Sequence, residues 1–213
     1  LEVIAAAITD ATRLVYLANP NNPTGTWYAA DTFAGFMAKV PGDVVVVVDE
    51  AYAEFVDAPE WASALALQTR YPNLVVTRTF SKAYALAGLR VGYAIAHPGL
   101  IAVMERVRES FNVNSAGLAA AEAALGDDEH LRWVVARNAE QRGILAEALR
   151  KRGLRVFPSQ TNFLLVQFAE PGDEARVARQ GRAAQQQRDR LVLGRGLQFE
   201  RLLPAVALAG LGV

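Results

Sequence analysis

Lys82 stands in Thr79-Phe80-Ser81-Lys82-Ala83-Tyr84-Ala85-Leu86-Ala87-Gly88-Leu89-Arg90, directly after the β-rich run Leu74–Thr79. Hydroxyls at Thr79 and Ser81 flank the amine, and a guanidinium follows at Arg90. An amine that condenses with an aldehyde, beside hydroxyl and arginine donors suited to a phosphate, is the grouping needed to hold a phosphorylated aldehyde cofactor covalently. Taken alone, the stretch also reads as the start of a surface helix with an ordinary solvated lysine, which is what most lysines are.

Two further polar motifs precede it. Asn19-Pro20-Asn21-Asn22-Pro23-Thr24-Gly25-Thr26 follows the apolar run Leu14–Ala18, and Asp49-Glu50-Ala51-Tyr52-Ala53-Glu54-Phe55 follows the five-valine run Val44–Val48. All three motifs lie just past a strand-like segment. Open α/β sheets bind ligands outside the carboxyl ends of their strands, so three such clusters can converge on one pocket. A carboxylate at the end of a hydrophobic strand, as at Asp49, is partly desolvated and wants a cationic partner, for which a protonated pyridine nitrogen serves; Asp is equally suited to cap a following helix. The Tyr52 phenol and the Asn22 amide can donate to a ring oxygen, and core packing and turn chemistry account for the same residues. Arg90 can grip a phosphate bidentately or make a surface ion pair.

The elements that must position these groups follow from the pattern. Thr12–Ala18, Val44–Val48, Leu74–Thr79 and Val91–Ala96 read as strands, and the all-apolar valine run predicts a strand covered on both faces. Ala29–Lys39, Trp61–Arg70, Pro98–Arg108 and Ser115–Leu125 have helical spacing. Asp127-Asp128-Glu129 opens a long helix reaching a basic last turn at Arg152, with Gly153 ending it, an arrangement that suits the helix dipole. Leu154–Phe157 and Phe163–Phe168 read as strands of a second unit. Alternation of strands and helices predicts an α/β doubly wound sheet up to about Arg108. The expected division is residues 1–108 as part of a large domain, 109–152 as bridging helices and 153–213 as part of a small α+β domain. After Ala169 the character changes: Arg176–Arg190 is rich in Arg and Gln and reads as a solvated face, and Leu202–Val213 is an apolar tail.

Composition narrows the classes. The chain has 213 residues, 22 basic and 22 acidic, so nothing points to nucleic acid or an acidic membrane surface. It has no cysteine, which removes disulfides, thiolate metal sites and cysteine nucleophiles. His97 and His130 are isolated, so no metal site is expected. The apolar runs are short of the ~20 residues of a membrane span. The start lacks the features of a signal peptide, and the default expectation is the cytoplasm.

Together, Asn-Pro-Asn-Asn-Pro-Thr-Gly, Asp-Glu-Ala-Tyr-x-Glu-Phe and Ser-Lys-x-Tyr-x-Leu-Ala-Gly-Leu-Arg-x-Gly resemble the aspartate aminotransferase superfamily, pyridoxal-phosphate enzymes of fold type I. The form of the second and third motifs is most similar to histidinol-phosphate aminotransferases. The resemblance runs from about Thr9 to Phe168 and includes Phe111-Asn112-Val113-Asn114 and Thr161-Asn162-Phe163. It implies that Lys82 forms the imine with pyridoxal 5'-phosphate, that Asp49 pairs with the pyridine nitrogen, and that Tyr52 and Asn22 donate to the ring 3-oxygen. It also implies that Ser81 and Arg90, helped by Thr79, bind the phosphate, and that the Asn22–Pro23 bond is cis. The implied reaction is transamination between an amino donor and a 2-oxo acid, with Lys82 moving the proton from substrate Cα, in a homodimer.

The resemblance is incomplete. Relatives carry an N-terminal part with a glycine-containing phosphate loop, an aromatic that stacks on the cofactor ring and tyrosines that reach the substrate, and none of these is assigned here. After Phe168 no arginine sits in the setting expected for the substrate carboxylate; Arg195 and Arg201 are given no role. Another aminotransferase, a threonine-phosphate decarboxylase and an inactive fragment remain the alternatives, and little turnover is expected of these residues alone.

Overall fold

The computed structural model describes residues 1–168. Arg176–Arg190 and Leu202–Val213 lie outside them. A four-stranded sheet has the order β1 (Leu14–Ala18), β2 (Val45–Asp49), β3 (Leu74–Thr79), β4 (Gly92–Ala96). The first three strands are parallel and β4 returns antiparallel to β3. The connection between β3 and β4 carries no α-helix, only a 3-10 turn at Ala87–Leu89, so the chain doubles back instead of crossing over.

Side chains alternate across the sheet. Val15, Leu17, Val46, Val48, Leu74 and Val76 point to one face and are buried against Phe33, Phe36 and Met37 of helix α2 (Ala30–Met37). Each such side chain contributes about 1.5–3 kcal/mol when fully removed from water. The other face differs from the expectation that the valine run is covered on both sides. Val45 and Val47 are only half-buried, and Leu14 and Tyr16 are 57% and 59% exposed. Asp49 belongs to this open face and Glu50 to the buried one, because successive strand residues alternate.

The helix expected over Trp61–Arg70 is reduced to a 3-10 turn, Ala64–Leu67. The reason is tertiary. The buried Glu50 carboxylate accepts from the Ser63 hydroxyl (2.7 Å) and the Ala64 amide (2.6 Å), and tight bonds from Ala66 to Ser63 and from Gln68 to Leu65 follow. Elsewhere the helical spacing holds with small shifts at the ends. After a short N-terminal helix, Glu2–Ala6, and α2, the helices are Pro98–Glu105, Ser115–Leu125 and the long Asp128–Arg150. Asp127 caps the last by accepting from the His130 amide, and Gly153 follows its end at φ +78°.

The long helix does the positioning. Its Leu131, Val134 and Val135 pack on a cluster of Tyr52, Phe55, Ala83 and Phe163. Its Asn138 and Arg142 donate to the Thr161 carbonyl at 3.2 and 2.7 Å. The segment they hold also docks on the turn after β1. The Gln160 amide donates to the Gly25 carbonyl, and Gly25 sits at φ +73° where an added Cβ would come within 2.5 Å of Ser159 Oγ. A two-residue antiparallel pair, Arg155–Val156 with Val166–Gln167, packs on the end of the helix through Ala146 and Leu149.

Candidate active site

Lys82 is set between two buried anchors. Phe80, 3% exposed, packs on Tyr84 and Tyr93, and Ala83, fully buried, joins the Tyr52 cluster. Lys82, two residues after Phe80 and next to Ala83, is thereby fixed just beyond the end of β3, and its ammonium lies 5.3 Å from the centroid of the Tyr52 ring. Tyr52 is itself held edge-on by Phe163, with centroids 5.3 Å apart. Asn22 Nδ2 donates to the Tyr52 hydroxyl at 3.1 Å. Three of the residues singled out in the sequence, Asn22, Tyr52 and Lys82, thus form one contact chain drawn from three different strand ends.

Thr79 and Ser81 make a second small group: the Ser81 amide donates to Thr79 Oγ1 at 3.1 Å. Arg90 follows nearby in the chain in the left-handed region, φ +58°, an unusual conformation for a residue with a side chain. It is exposed and donates to the Ala87 carbonyl at 3.0 Å, and Asn114 braces the turn by donating to the Leu89 carbonyl. Asp49 ends β2 on the open face. Its Oδ1 accepts from the Ala51 amide (3.1 Å), a local turn contact and not a helix cap, since the next element is the 3-10 turn Ala53–Phe55 that starts after Tyr52, while Oδ2 accepts from the Tyr16 hydroxyl (2.7 Å). Among the described residues no hydrogen bond or ion pair joins Asp49 or Arg90 to the Asn22–Tyr52–Lys82 chain. Both Asn19–Pro20 and Asn22–Pro23 are cis. A separate cleft of about 350 Å³, bounded by Tyr84, Leu86, Ala124 and His130, contains none of these side chains.

The three lysines of the chain differ in their partners. Lys39 lies 3.9 Å from Glu2 and Lys151 lies 2.6 Å from Glu147, both more than half exposed. Lys82 is half-buried and has no carboxylate partner among the described residues. The profile of the family described as aminotransferase class I and II matches residues 1–196. The chain belongs to the class I and II aminotransferase family. The match reaches past both limits expected from the motifs, Thr9 and Phe168.

Relatives within the family sharpen the comparison. The chain is 54% identical over 173 residues to histidinol-phosphate aminotransferase 2 of Ralstonia nicotianae, covering 81% of this chain and 46% of that protein. It is 50% identical over 176 residues to histidinol-phosphate aminotransferase 1 of Nitrosococcus oceani, covering 82% and 47%. The chain spans about half the length of the curated relatives it matches. Among solved structures, that of histidinol-phosphate aminotransferase from Sinorhizobium meliloti in complex with pyridoxal-5'-phosphate superposes with a TM-score of 0.72. The identity is 37%, over 77% of this chain and 44% of that one. These likenesses establish the fold-type I α/β architecture for this family member.

Two features of the site were not singled out in the sequence. One is Tyr16, whose signal was its place two residues before Ala18, on the face shared with Asp49 once β1 pairs with β2. The other is the buried ion group behind Asp49. Arg78 lies 2.6 Å from Glu50 and 2.9 Å from Glu54, and it also donates to Ser63 Oγ. A cation inside a strand, Leu-Val-Val-Thr-Arg-Thr, was the legible hint. Burial opposes the Arg78 charge, but the two glutamates outweigh it and hold its pKa above the ordinary arginine value.

Burial pushes the Glu54 carboxyl above the usual range, and its hydrogen bonds with the Arg78 charge offset this only in part. Glu54 Oε2 is buried without a hydrogen-bond partner. The native state therefore holds the Glu54 proton more tightly than the unfolded chain does. That contribution to stability is complete below about 4.5 and is lost as pH rises through the folded value. Denaturant unfolding of the parent and of Glu54→Gln across this range checks the sign. The parent should lose stability relative to the variant as pH rises, and a difference that stays flat or grows the other way contradicts it.

Proposed function

We propose that this chain binds pyridoxal phosphate covalently through Lys82 and serves an aminotransferase that converts histidinol phosphate and 2-oxoglutarate to imidazole-acetol phosphate and glutamate. The observation that carries the reading is the setting of Lys82, the one lysine lacking a carboxylate partner among the described residues, half-buried against Tyr52 at a strand end. The substrate rests on the likeness to the histidinol-phosphate aminotransferases. A cytoplasmic homodimer is part of the reading, as is the division into a cofactor-binding part (1–108), bridging helices (109–152) and a small domain from residue 153.

The side chains present fit that cofactor. Asp49 offers a carboxylate on the open sheet face with lone pairs left after Tyr16 and Ala51 have donated. Arg90 uses one donor on the Ala87 carbonyl and keeps the rest of its fork for a phosphate, with the Ser81 and Thr79 hydroxyls at the same strand end. When bound, pyridoxal phosphate supplies the aldehyde that amines condense with and a ring that draws electrons from substrate Cα.

The chain's own residues then have distinct tasks. Asp49 holds a proton on the pyridine nitrogen by presenting a negative charge to it. The Tyr52 oxygen accepts from Asn22, which leaves the phenol proton free to donate to a ligand oxygen. Lys82 would be the nucleophile for attachment and, once displaced, the base that takes a proton from substrate Cα and then the acid that delivers it to the cofactor's exocyclic carbon. Its amine suits this use because no carboxylate among the described residues competes for it.

The test joins these residues to the N-terminal portion of the Ralstonia nicotianae relative in place of that protein's own matching half. The chimera, given pyridoxal phosphate, should release glutamate from 2-oxoglutarate with histidinol phosphate as donor. A folded chimera that takes up the cofactor but turns over other amino acids and not histidinol phosphate would overturn the substrate. One that takes up no cofactor would overturn the whole reading.

A further inference from the structure

We infer that Tyr16 is a positioning residue that fixes the Asp49 carboxylate for a cofactor's ring nitrogen, an inference that rests on the cofactor reading above. The Tyr16 hydroxyl donates to Asp49 Oδ2 at 2.7 Å, and the Ala51 amide donates to Oδ1 at 3.1 Å. One donor comes from a neighbouring strand and the other from the turn just beyond β2. Turning the carboxylate about its own bond breaks both, so the two together hold its plane and aim the remaining lone pairs. A preorganised acceptor of this kind need not reorient when charge develops on its partner.

The reach of Tyr16 follows from the register. Five consecutive pairs align Leu14–Ala18 with Val45–Asp49, and the residue directly opposite Asp49 is Ala18. The small side chain of Ala18 leaves the space beside Asp49 clear. Tyr16, on the same face two residues earlier, leans along the strand into it. Tyr16 is 59% exposed, so hydrophobic burial does not account for the placement of the hydroxyl. Partial burial, then the Asp49 hydrogen bond and charge, push the Tyr16 phenol up to about 12, which keeps it a neutral donor across the physiological range. Among the described residues Asp49 is the one charged group bonded to that hydroxyl.

A double-mutant cycle on the chain tests the inference, with cofactor uptake read from the visible absorption of added pyridoxal phosphate. Tyr16→Phe keeps the ring and removes the hydroxyl. It should weaken apparent affinity about three- to tenfold, and it should have less than about a twofold effect in the Asp49→Ala background, because the lost hydroxyl acts through that carboxylate. A merely structural role would give the same loss in both backgrounds, and that result overturns the inference while leaving the cofactor reading intact. Unchanged affinity in Tyr16→Phe also overturns it. If Asp49→Ala itself does not weaken uptake, or the parent chain takes up no pyridoxal phosphate, the cofactor reading falls and this inference with it. Amide NMR spectra of the unliganded chain give a second readout. Tyr16→Phe should shift the Ala51 amide signal, and should not do so in Asp49→Ala; an unmoved signal shows that the two donors do not share the carboxylate and overturns the proposal.

Discussion

Replacing Lys82 with alanine is expected to abolish covalent uptake of pyridoxal phosphate and to lower transamination by the chimera by at least about a hundredfold, the low end of what a positioned acid–base group supplies. The loss of the nucleophile adds to this. The fold should be spared. Lys82 has no ion-pair partner among the described residues, and its anchors Phe80 and Ala83 remain in place, so the loss of stability should be no more than about 1 kcal/mol, the size of its contact with the Tyr52 ring. Turnover, borohydride-stable cofactor content and urea unfolding of the same preparation separate the two effects. Turnover within tenfold of the parent would remove Lys82 from the chemistry. A large loss of stability would mean that activity was lost through unfolding instead.

The second large effect is on stability. Arg78→Met should destabilise the chain by about 3–5 kcal/mol, because it leaves the fully buried Glu50 carboxylate without its cation. Ser63 and the Ala64 amide still donate to Glu50, but neither carries charge. Adding Glu50→Gln to Arg78→Met should recover part of the loss, since the uncompensated charge is then gone. Denaturant midpoints of the three variants measure this. A cost below about 1 kcal/mol for Arg78→Met, or no recovery in the double variant, would show that the ion group is not what ties β3 to the turn after β2.

Much of this was legible in the sequence because the signals are local. Short apolar runs marked four strands, helical spacing marked Ser115–Leu125, and the acids at Asp127–Glu129 marked the start of the long helix. The three motifs at strand ends pointed to Asn22, Tyr52 and Lys82, which do meet. What stayed hidden depends on which strand lies beside which. The antiparallel return of β4 leaves no trace in its own alternation. The Trp61–Arg70 stretch has helical spacing, yet Glu50, distant in sequence, ties its start into a tight turn. Tyr16 became interesting only once its strand was aligned with β2, since nothing in Leu-Val-Tyr-Leu-Ala distinguishes a tyrosine that reaches a carboxylate from one that faces water.

Lys82 is the proposed attachment point of the cofactor. The chain has three lysines, so incubation with pyridoxal phosphate, borohydride reduction and peptide mapping give one of a few clear patterns. A saturable label is expected on the peptide containing Lys82, with Lys39 and Lys151 labelled only weakly as exposed amines paired to Glu2 and Glu147. A label concentrated on Lys39 or Lys151, or spread evenly over all three, would contradict it.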